Sequence, residues 1–369
     1  MSFAFVPSLN RLSQDRGLFT EPEYRAMRAF FSARPNLAAT PLHRLNSLGF
    51  SLNIGALDAK VETARFGLNA FKLLGARFAL EQLVAEGAIG PGSTVVCASE
   101  GNHGRAVAHA ARAAGCAARV YVAHDVSASR ANAIAAEGAD VVRVEGSYDD
   151  AVRISTEEAQ VNNWAVVSDT SWDGYERIPR LIMLGYTRMM DEVAAELSEP
   201  PGLVFVQGGV GGLLCAVASW CAFLWGDRLP AIVSVEPLDA ACLLASARAG
   251  RPVAVEGRLT TTMAGLRNRE VSPLAFAALL PIVNSYLAID DSWAHKAIRR
   301  LAEAQGSDPR IEAGASGAAA LGGLLAVLDD PALAAARQHL QLSTKSRVLV
   351  IVSEGVTDPD VWAAAMGQS

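Results

Sequence analysis

A single lysine lies in an otherwise apolar stretch near the start of the chain. Lys72 stands between Phe71 and Leu73, at the predicted start of an apolar helix. A lysine on an apolar background is often a surface residue whose stem follows the protein while its amine reaches water. A desolvated lysine instead has a lowered pKa and becomes an amine nucleophile that can form a Schiff base with a carbonyl. Lys72 is therefore a candidate catalytic residue, with the surface lysine as the alternative.

A glycine-rich loop directly follows the predicted strand Leu203–Gln207. Glycine adopts left-handed backbone angles readily, so such a loop can bring several N–H groups to an anion, and the next helix adds its positive N-terminal end. The loop lacks the Gly-Lys-Ser/Thr ending of a nucleotide P-loop, and its spacing misses Gly-x-Gly-x-x-Gly. A flexible turn is the alternative. The candidate phosphate-binding residues are Gly208, Gly209, Val210, Gly211 and Gly212.

A second polar loop, of sequence SEGNHG, joins a predicted strand to a predicted helix. Gly101 and Gly104 enclose Asn102 and His103. The free N–H groups of a helix N-terminus can bind a substrate carboxylate, and the Asn102 amide can donate a hydrogen bond to an oxyanion. Helix capping by Ser99 or Asn102 is the alternative, which explains the polar residues but not both glycines.

Along the chain the lysine comes first, the SEGNHG loop second and the glycine-rich loop third. In that order the three motifs resemble those of the fold type II, tryptophan-synthase-β-like enzymes that use pyridoxal 5′-phosphate. Within that group the chain is similar to the diaminopropionate ammonia-lyases. The likeness covers nearly the whole chain, through TPLHRL, RFGLNAFK, EGNHGR, SDTSWDGYERIP, TMAGL, DPRIEAGASGA and SEGVTD. It implies an α,β-elimination that converts 2,3-diaminopropionate, or a closely related β-substituted alanine, to pyruvate and ammonia. The alternatives are a serine or threonine dehydratase of the same fold and a cofactor-binding protein without turnover.

The resemblance also implies roles for individual residues. Lys72, beside Phe71, would bind the cofactor covalently and later carry the α-proton of the substrate. Asn102 would face the phenolic oxygen of the cofactor, and Gly208–Gly212 its phosphate. Ser353 would face the pyridine nitrogen. A neutral hydroxyl there leaves that nitrogen largely unprotonated, which favours rapid β-elimination.

Acidic residues are expected to decide the substrate. Glu100 stands where the dehydratases generally carry a small residue and the ammonia-lyases an aspartate. An acid there can pair with a β-amino cation or move a proton onto the leaving nitrogen. Glu100 is one methylene longer than that aspartate, which leaves the use of the D-isomer open. Asp169 matches the second acidic residue of the family, and its alternative role is to form an Asx turn. His103 matches a neighbouring polar group of the family, and its alternative role is a hydrogen bond to a backbone carbonyl.

One segment departs from the family pattern. Leu266–Pro273, with the sequence LRNREVSP, drifts from it, so we expect the mouth of the site to differ. Trp164, Trp172 and Tyr175 lie near Asp169 in the sequence, and core packing or an interlobe hinge is the expected role of such aromatic residues.

The elements expected to position these loops alternate between strands and helices. Such alternation predicts an α/β fold of parallel, twisted sheets flanked by helices. Near-continuous Val/Ile/Leu runs indicate that both sheet faces are covered. Ligands bind at the carboxyl ends of such strands, so the loops can converge on one crevice. The strands predicted with bounds are Ser93–Ser99, Ala118–His124, Leu203–Gln207, Ala231–Pro237 and Arg347–Ser353.

We predict two lobes with the cofactor between them. The helical segment Leu181–Glu199 ends at Pro200–Pro201, which marks a seam between the lobes. The larger, cofactor-binding domain is predicted from residues 1–86 and 181–369. The smaller domain, which carries the substrate loop, is predicted from residues 87–180.

Composition and charge narrow the possible partners. The 369 residues are 51% hydrophobic and 19% charged, as in globular proteins. The net charge is −6 and no run of Lys or Arg stands out, so nucleic acid is an unlikely binding partner. The sequence shows neither an apolar stretch long enough to span a membrane nor a basic segment followed by an apolar one, so we expect no membrane span and no secretory signal. The five scattered cysteines predict neither a metal site nor disulfides, and indicate the cytoplasm. A small amino acid is the expected partner, in a homodimer by analogy with the fold.

Overall fold

Two β-sheets organise the chain in the computed structural model, which describes residues 3–8, 17–99 and 101–367. Glu100, one of the candidate acids, lies outside the described residues. In chain order the strands are β1 (Phe3–Pro7), β2 (Leu42–Arg44), β3 (Ala56–Val61), β4 (Thr94–Ala98), β5 (Ala117–Ala123), β6 (Asp140–Val144), β7 (Ala165–Val166), β8 (Leu203–Gln207), β9 (Ala231–Pro237), β10 (Ser285–Ile289) and β11 (Arg347–Val352).

The larger sheet has seven strands in the order β1-β10-β9-β8-β11-β3-β2. Its five inner strands are parallel, as expected for an α/β protein. The edge strands β1 and β2 run antiparallel to β10 and β3. The sequence did not predict these edges, because short, partly exposed strands lack the continuous apolar runs of the inner ones.

The smaller sheet has four strands in the order β6-β5-β4-β7, all parallel. The central strand β4 leads into the Ser99 loop, and its neighbour β7 leads towards Asp169. Adjacent parallel strands end at the same sheet edge, so these two loops lie side by side.

Helices cover the sheets and account for most of the remaining chain. Their bounds are α1 (Glu21–Ser32), α2 (Asn46–Ser51), α3 (Leu73–Ala85), α4 (Asn102–Ala113), α5 (Ala128–Ala135), α6 (Tyr148–Asn162), α7 (Arg177–Tyr186), α8 (Arg188–Glu196), α9 (Gly212–Trp225), α10 (Cys242–Ala249), α11 (Pro273–Leu279), α12 (Asp291–Ala302), α13 (Ala315–Asp329), α14 (Ala334–His339) and α15 (Pro359–Ala365).

The two faces of the larger sheet bury separate hydrophobic clusters. Along β11, Leu349 and Ile351 join one cluster with α3, α7 and α9, whereas Val348 and Val350 join another with α12 and α13. This alternation follows from the two-residue period of a strand. The first cluster continues to the smaller sheet, so α3, α7 and α9 connect the two sheets.

Two local predictions for the helices had different outcomes. The Ser147 side chain accepts a hydrogen bond from Asp150 N and caps α6, as predicted. The helix expected over Leu181–Glu199 is instead two helices, α7 and α8, separated at Thr187. The Thr187 hydroxyl donates to the Leu184 carbonyl at 2.6 Å, which is the local competition by which threonine disturbs a helix.

Over the part of the chain that the structure describes, no single helix is long and apolar enough to cross a membrane. One bent pair, Ala315–Asp329 with Pro331–His339, meets the criteria of length and composition. All five cysteines are free and buried.

Candidate active site

A cavity of about 1040 Å³ opens where loops from both sheets meet. Its walls include the carboxyl ends of six parallel strands, β4, β5, β6, β7, β8 and β11, and the segment that enters α3. This is the position at which open α/β sheets bind ligands. The volume reaches the upper end of the roughly 300–1,000 Å³ typical of small-molecule sites.

Lys72 projects into this cavity from the residue that precedes α3. Its Nζ atom donates a hydrogen bond to Asp169 Oδ2 at 2.6 Å, and the two side chains are 22% and 16% exposed. The rings of Phe71 and Tyr186 lie 5.2 and 5.9 Å from Nζ. The structure therefore places the amine in the cavity wall and not on the outer surface.

Asp169 has charged groups on two sides. Burial alone would raise the pKa of its carboxyl group, but the positive charges of His103 and Lys72 and the hydrogen bond from Lys72 together hold that pKa below its usual range. Asp169 is thus a carboxylate at neutral pH. Its side chain accepts a hydrogen bond from the amine of Lys72, 97 positions away in the sequence. An Asx turn would involve only the neighbouring backbone, so it does not account for this contact.

His103 contacts both a carbonyl and the acid. Its Nε2 atom lies 2.8 Å from the Val167 carbonyl oxygen, which can only accept, so Nε2 carries a proton. Its Nδ1 atom lies 3.7 Å from Asp169 Oδ2 and has no hydrogen-bond partner in the described part of the chain. The ring is buried, so the backbone fixes the side of the imidazole that faces Asp169.

Aromatic residues hold the loop that carries Asp169. The Tyr175 hydroxyl accepts a hydrogen bond from Ser168 N and donates one to the Val166 carbonyl, each at 2.9 Å. Trp172 stacks on Tyr175 with 4.0 Å between ring centroids, and it also lines the cavity. The cavity-lining position of Trp172 was not foreseen from the sequence.

The glycine loop Gly208–Gly212, here called the glycine cup, ends at the start of α9. Gly211 has φ +100°, a left-handed conformation that favours glycine. A Cβ atom on Gly208 would lie 2.6 Å from Ser234 Oγ, so the backbone approaches its neighbours too closely for a side chain. Val210 O accepts from Ser272 N at 2.8 Å. A close-approaching backbone at a helix N-terminus suits an anion.

A buried acid lies behind the glycine cup. Burial raises the pKa of Glu236 to about 8, opposed by the hydrogen bonds that its carboxyl group accepts from Leu243 N and Leu244 N. Each of its two carboxyl oxygens thus has a backbone donor 2.8 Å away, so Glu236 is held behind the cup and does not line the cavity.

In the SEGNHG loop, Ser99 caps the helix and Asn102 lies in the cavity. Ser99 Oγ accepts from Gly104 N at 2.8 Å and from Gly101 N at 3.2 Å, so the capping interpretation describes Ser99. The Asn102 side chain lies in the cavity and donates to Glu354 Oε2. Asn102 therefore has an acidic partner that the sequence did not predict.

Glu354 is the site residue that sequence reasoning missed. It is 7% exposed, and burial raises the pKa of its carboxyl group, against hydrogen bonds from Ser316 and Asn102. A Cβ atom on Gly317 would lie 2.1 Å from the Glu354 carbonyl oxygen, so α13 can approach only because this position is glycine. The only sequence signal was its place in the motif SEGVTD.

Ser353 lies beside Glu354 in the cavity wall and is 4% exposed. Its carbonyl accepts a hydrogen bond from Phe71 N at 3.2 Å, which joins β11 to the segment that carries Lys72. An amine, an anion-binding cup and a buried hydroxyl thus line one cavity. This donor set fits a phosphorylated aldehyde cofactor with a ring nitrogen.

Comparison with known proteins gives consistent matches over most of the chain. A profile for the family described as pyridoxal-phosphate dependent enzyme matches residues 33–354. The diaminopropionate ammonia-lyase of Escherichia coli (strain K12) is 35% identical over 359 residues, 92% of this chain and 90% of that protein. The crystal structure of the Escherichia coli holo enzyme superposes with a TM-score of 0.92 at 32% identity, covering 98% and 96% of the two chains. A human serine dehydratase-like protein is 27% identical over 63% of this chain and 68% of its own.

Proposed function

Since this chain belongs to the pyridoxal-phosphate dependent enzymes and, within them, to the diaminopropionate ammonia-lyase family, we propose that it removes ammonia from 2,3-diaminopropionate by α,β-elimination. The products are pyruvate and ammonia, and a closely related β-substituted alanine is included in the proposal. The observation that carries it is the placement of the Lys72 amine, its Asp169 partner and the glycine cup in the walls of one cavity.

The proposal assigns residues of the cavity wall to each part of the cofactor. We assign the aldehyde to Lys72, the phosphate to the glycine cup and the α9 N-terminus, the phenolic oxygen to Asn102, and the ring nitrogen to Ser353. Phe71 lies beside Lys72 in the same wall. When bound, the cofactor withdraws electrons from the Cα atom of the substrate and so acidifies its α C–H bond.

Proton transfer is assigned to the pair of Lys72 and Asp169. The Lys72 amine takes the α-proton, and the carboxylate 2.6 Å away stabilises the ammonium that results. His103, held by the Val167 carbonyl, orients towards the same carboxylate. The leaving nitrogen also needs a proton, and we assign its delivery to Glu100 on the sequence argument, since that residue lies outside the described part of the chain.

Two further properties belong to this proposal. We propose a cytoplasmic enzyme, which is supported by five buried, free cysteines. We also propose a homodimer, by analogy with the fold.

Pyruvate release distinguishes the proposed function from a dehydratase. We expect holoenzyme to have a higher kcat/KM for L-2,3-diaminopropionate than for L-serine or L-threonine. The ratio of kcat/KM for the D- and L-isomers of 2,3-diaminopropionate shows whether the longer side chain of Glu100 still allows the D-isomer to react. Glu100→Ala should lose the selectivity for the diamine, because the neighbouring acid no longer pairs with the β-amino cation. Faster turnover of the hydroxy amino acids would favour the dehydratase, and an unchanged substrate profile in the variant would remove the role of Glu100.

A further inference from the structure

One wall of the cavity mouth carries three exposed arginines. Arg258, Arg267 and Arg269, here called the arginine wall, all line the cavity and come from one stretch of chain between β9 and α11. Two of them belong to Leu266–Pro273, the segment expected from the sequence to differ from the family pattern. A substrate as small as 2,3-diaminopropionate gives no reason for three cations at this position.

In the described part of the chain, none of these guanidinium groups forms an ion pair. Arg267 donates to the Thr261 carbonyl at 2.9 Å, and Arg269 donates to the carbonyls of Val255 and Gly257 at 2.8 and 3.1 Å. Across residues 3–8, 17–99 and 101–367, no carboxylate forms an ion pair with any of the three, and Arg258 makes no hydrogen bond. Backbone carbonyls therefore fix two of the arginines while their charge stays available.

The arginine wall adjoins the glycine cup. Asn268 stands between two of the arginines, and a Cβ atom on Gly209 would lie 2.9 Å from Asn268 Nδ2. The cup has its own donors in its N–H groups and the N-terminus of α9, so a phosphate there does not require the exposed arginines. Their position suits a second anion, further out in the mouth.

The smaller sheet contributes exposed acids to the same cavity. Asp125, Glu145 and Asp149 line it from segments that follow β5 and β6 of that sheet. Arg130 lines it from α5 and Glu270 from the segment of the arginine wall, so each set contains one opposite charge. Acids outnumber cations in the first set and cations outnumber acids in the second, so an anionic group is attracted to the arginine wall. This difference favours a charged extension of the substrate that points towards the arginine wall.

We propose that the arginine wall binds a carboxylate at the far end of the β-substituent, so that the preferred substrate is a 2,3-diaminopropionate whose β-nitrogen carries an acidic group. The inference rests on the proposed function. The Cα–H and Cβ–N bonds break, a Cα–Cβ double bond forms, and the β-nitrogen takes a proton and leaves as an amine that bears the carboxylate. The remaining 2-aminoacrylate takes up water to give pyruvate and ammonia.

A matched pair of substrates tests this selectivity. β-N-Carboxymethyl-2,3-diaminopropionate ends in a carboxylate. β-N-Carbamoylmethyl-2,3-diaminopropionate has the same shape but ends in an uncharged amide. We expect wild-type holoenzyme to prefer the carboxylate by about tenfold in kcat/KM, and each of Arg258→Gln and Arg267→Gln to reduce that preference about two- to fivefold, as expected for partly screened charges.

Three controls separate charge from structure. Arg258→Lys should retain the preference, because the charge remains. Arg251→Gln removes an exposed arginine that does not line the cavity and should leave the preference unchanged. The wild-type preference should shrink as ionic strength rises, since salt screens exposed charges. Equal use of both compounds by the wild type, the same preference in both glutamine variants, or a loss of cofactor from those variants would overturn the inference.

A binding measurement distinguishes failure of this inference from failure of the proposed function. 2-Aminoadipate and its side-chain amide have the same lengths as the two substrates but carry no nitrogen that can leave. Tighter calorimetric binding of 2-aminoadipate to wild-type holoenzyme, lost in Arg258→Gln, supports the arginine wall even if no pyruvate forms from 2,3-diaminopropionate. Equal binding, together with turnover of 2,3-diaminopropionate, refutes the arginine wall alone.

Discussion

Two lysine–carboxylate pairs in this protein have the same length and different surroundings. The distance from Nζ to the carboxylate oxygen is 2.6 Å both for Lys72 with Asp169 and for Lys60 with Glu192. The first pair is 22% and 16% exposed and lines the cavity, whereas the second is 0% and 2% exposed. A distance alone therefore does not separate a reactive amine from a structural one.

The buried pair belongs to a cluster whose charges are closely matched. Lys60 also donates to the Thr40 carbonyl, and Arg65 donates to Glu62 and Glu192 at 2.6 Å. Taking charges out of water costs several kcal/mol per ion, and close pairing with added hydrogen bonds offsets that cost. The charged groups of this cluster are hydrogen-bonded to one another and buried, so they are not available to bind a ligand. The cluster fixes the turn at Arg65, seven residues before Lys72.

The cavity pair lies where a ligand can reach it. The Lys72 amine donates to Asp169 and packs beside two aromatic rings, and Lys72 lines a cavity of about 1040 Å³. Access to the cavity thus distinguishes the two lysines, and the same substitution at each can test that distinction.

The largest expected effect is on activity, from Lys72→Met. Loss of the amine removes both the covalent attachment and the proton carrier, so we expect pyruvate formation to fall by about 10⁴-fold. The visible absorbance of bound cofactor should disappear, while the free energy of unfolding falls by on the order of 1 kcal/mol, because methionine fills a similar volume and the lost pair with Asp169 is partly exposed. A yellow, active variant would refute the assignment of Lys72.

The same substitution at Lys60 should affect stability instead. Lys60→Met leaves Glu192 buried with one cation fewer, which should lower the free energy of unfolding by about 3–5 kcal/mol. Urea unfolding monitored by circular dichroism measures the change. The kcat of the folded fraction should stay within about threefold of wild type, since Lys60 does not line the cavity. A strong loss of activity in fully folded protein would contradict the division between the two lysines.

Features written locally in the sequence were predictable. Val-rich runs identified β8 and β11. The glycine loop after β8 and Lys72, both singled out in the sequence, line one cavity, and their roles there stay predictions. The fold class and the use of pyridoxal phosphate, both expected from the resemblance, are confirmed. Each of these depends on neighbours within a few residues or on the resemblance of whole motifs to those of a known family.

Features that depend on distant contacts were not predictable. Glu354 meets Asn102 across 252 positions of sequence, so neither residue indicates the other. The strand β3 was missed because Asp58 and Lys60 interrupt its apolar pattern, although both side chains are buried against partners from elsewhere in the chain. Buried lysines are rare unless paired, and the pairing partner of Lys60 lies 132 positions away.

The smallest expected effect concerns the acid side of the cavity pair. The pKa of Asp169 is lowered in the folded protein, so its pairing stabilises the fold above the pKa of the unfolded chain, about 3.9, and this contribution is lost as the pH falls through the folded value. Asp169→Asn should therefore lower the free energy of unfolding at pH 7 by on the order of 1 kcal/mol, a modest value because the pair is partly exposed. Urea unfolding at pH 7, 5, 4 and 3 should show that the difference from wild type shrinks below about pH 4.

The matched control is Glu303→Gln, which removes an exposed acid that has no ion pair in the described part of the chain. This variant should give no such trend with pH. A difference that stays constant down to pH 3 would mean that Asp169 stabilises the loop through its shape and not through its charge on Lys72.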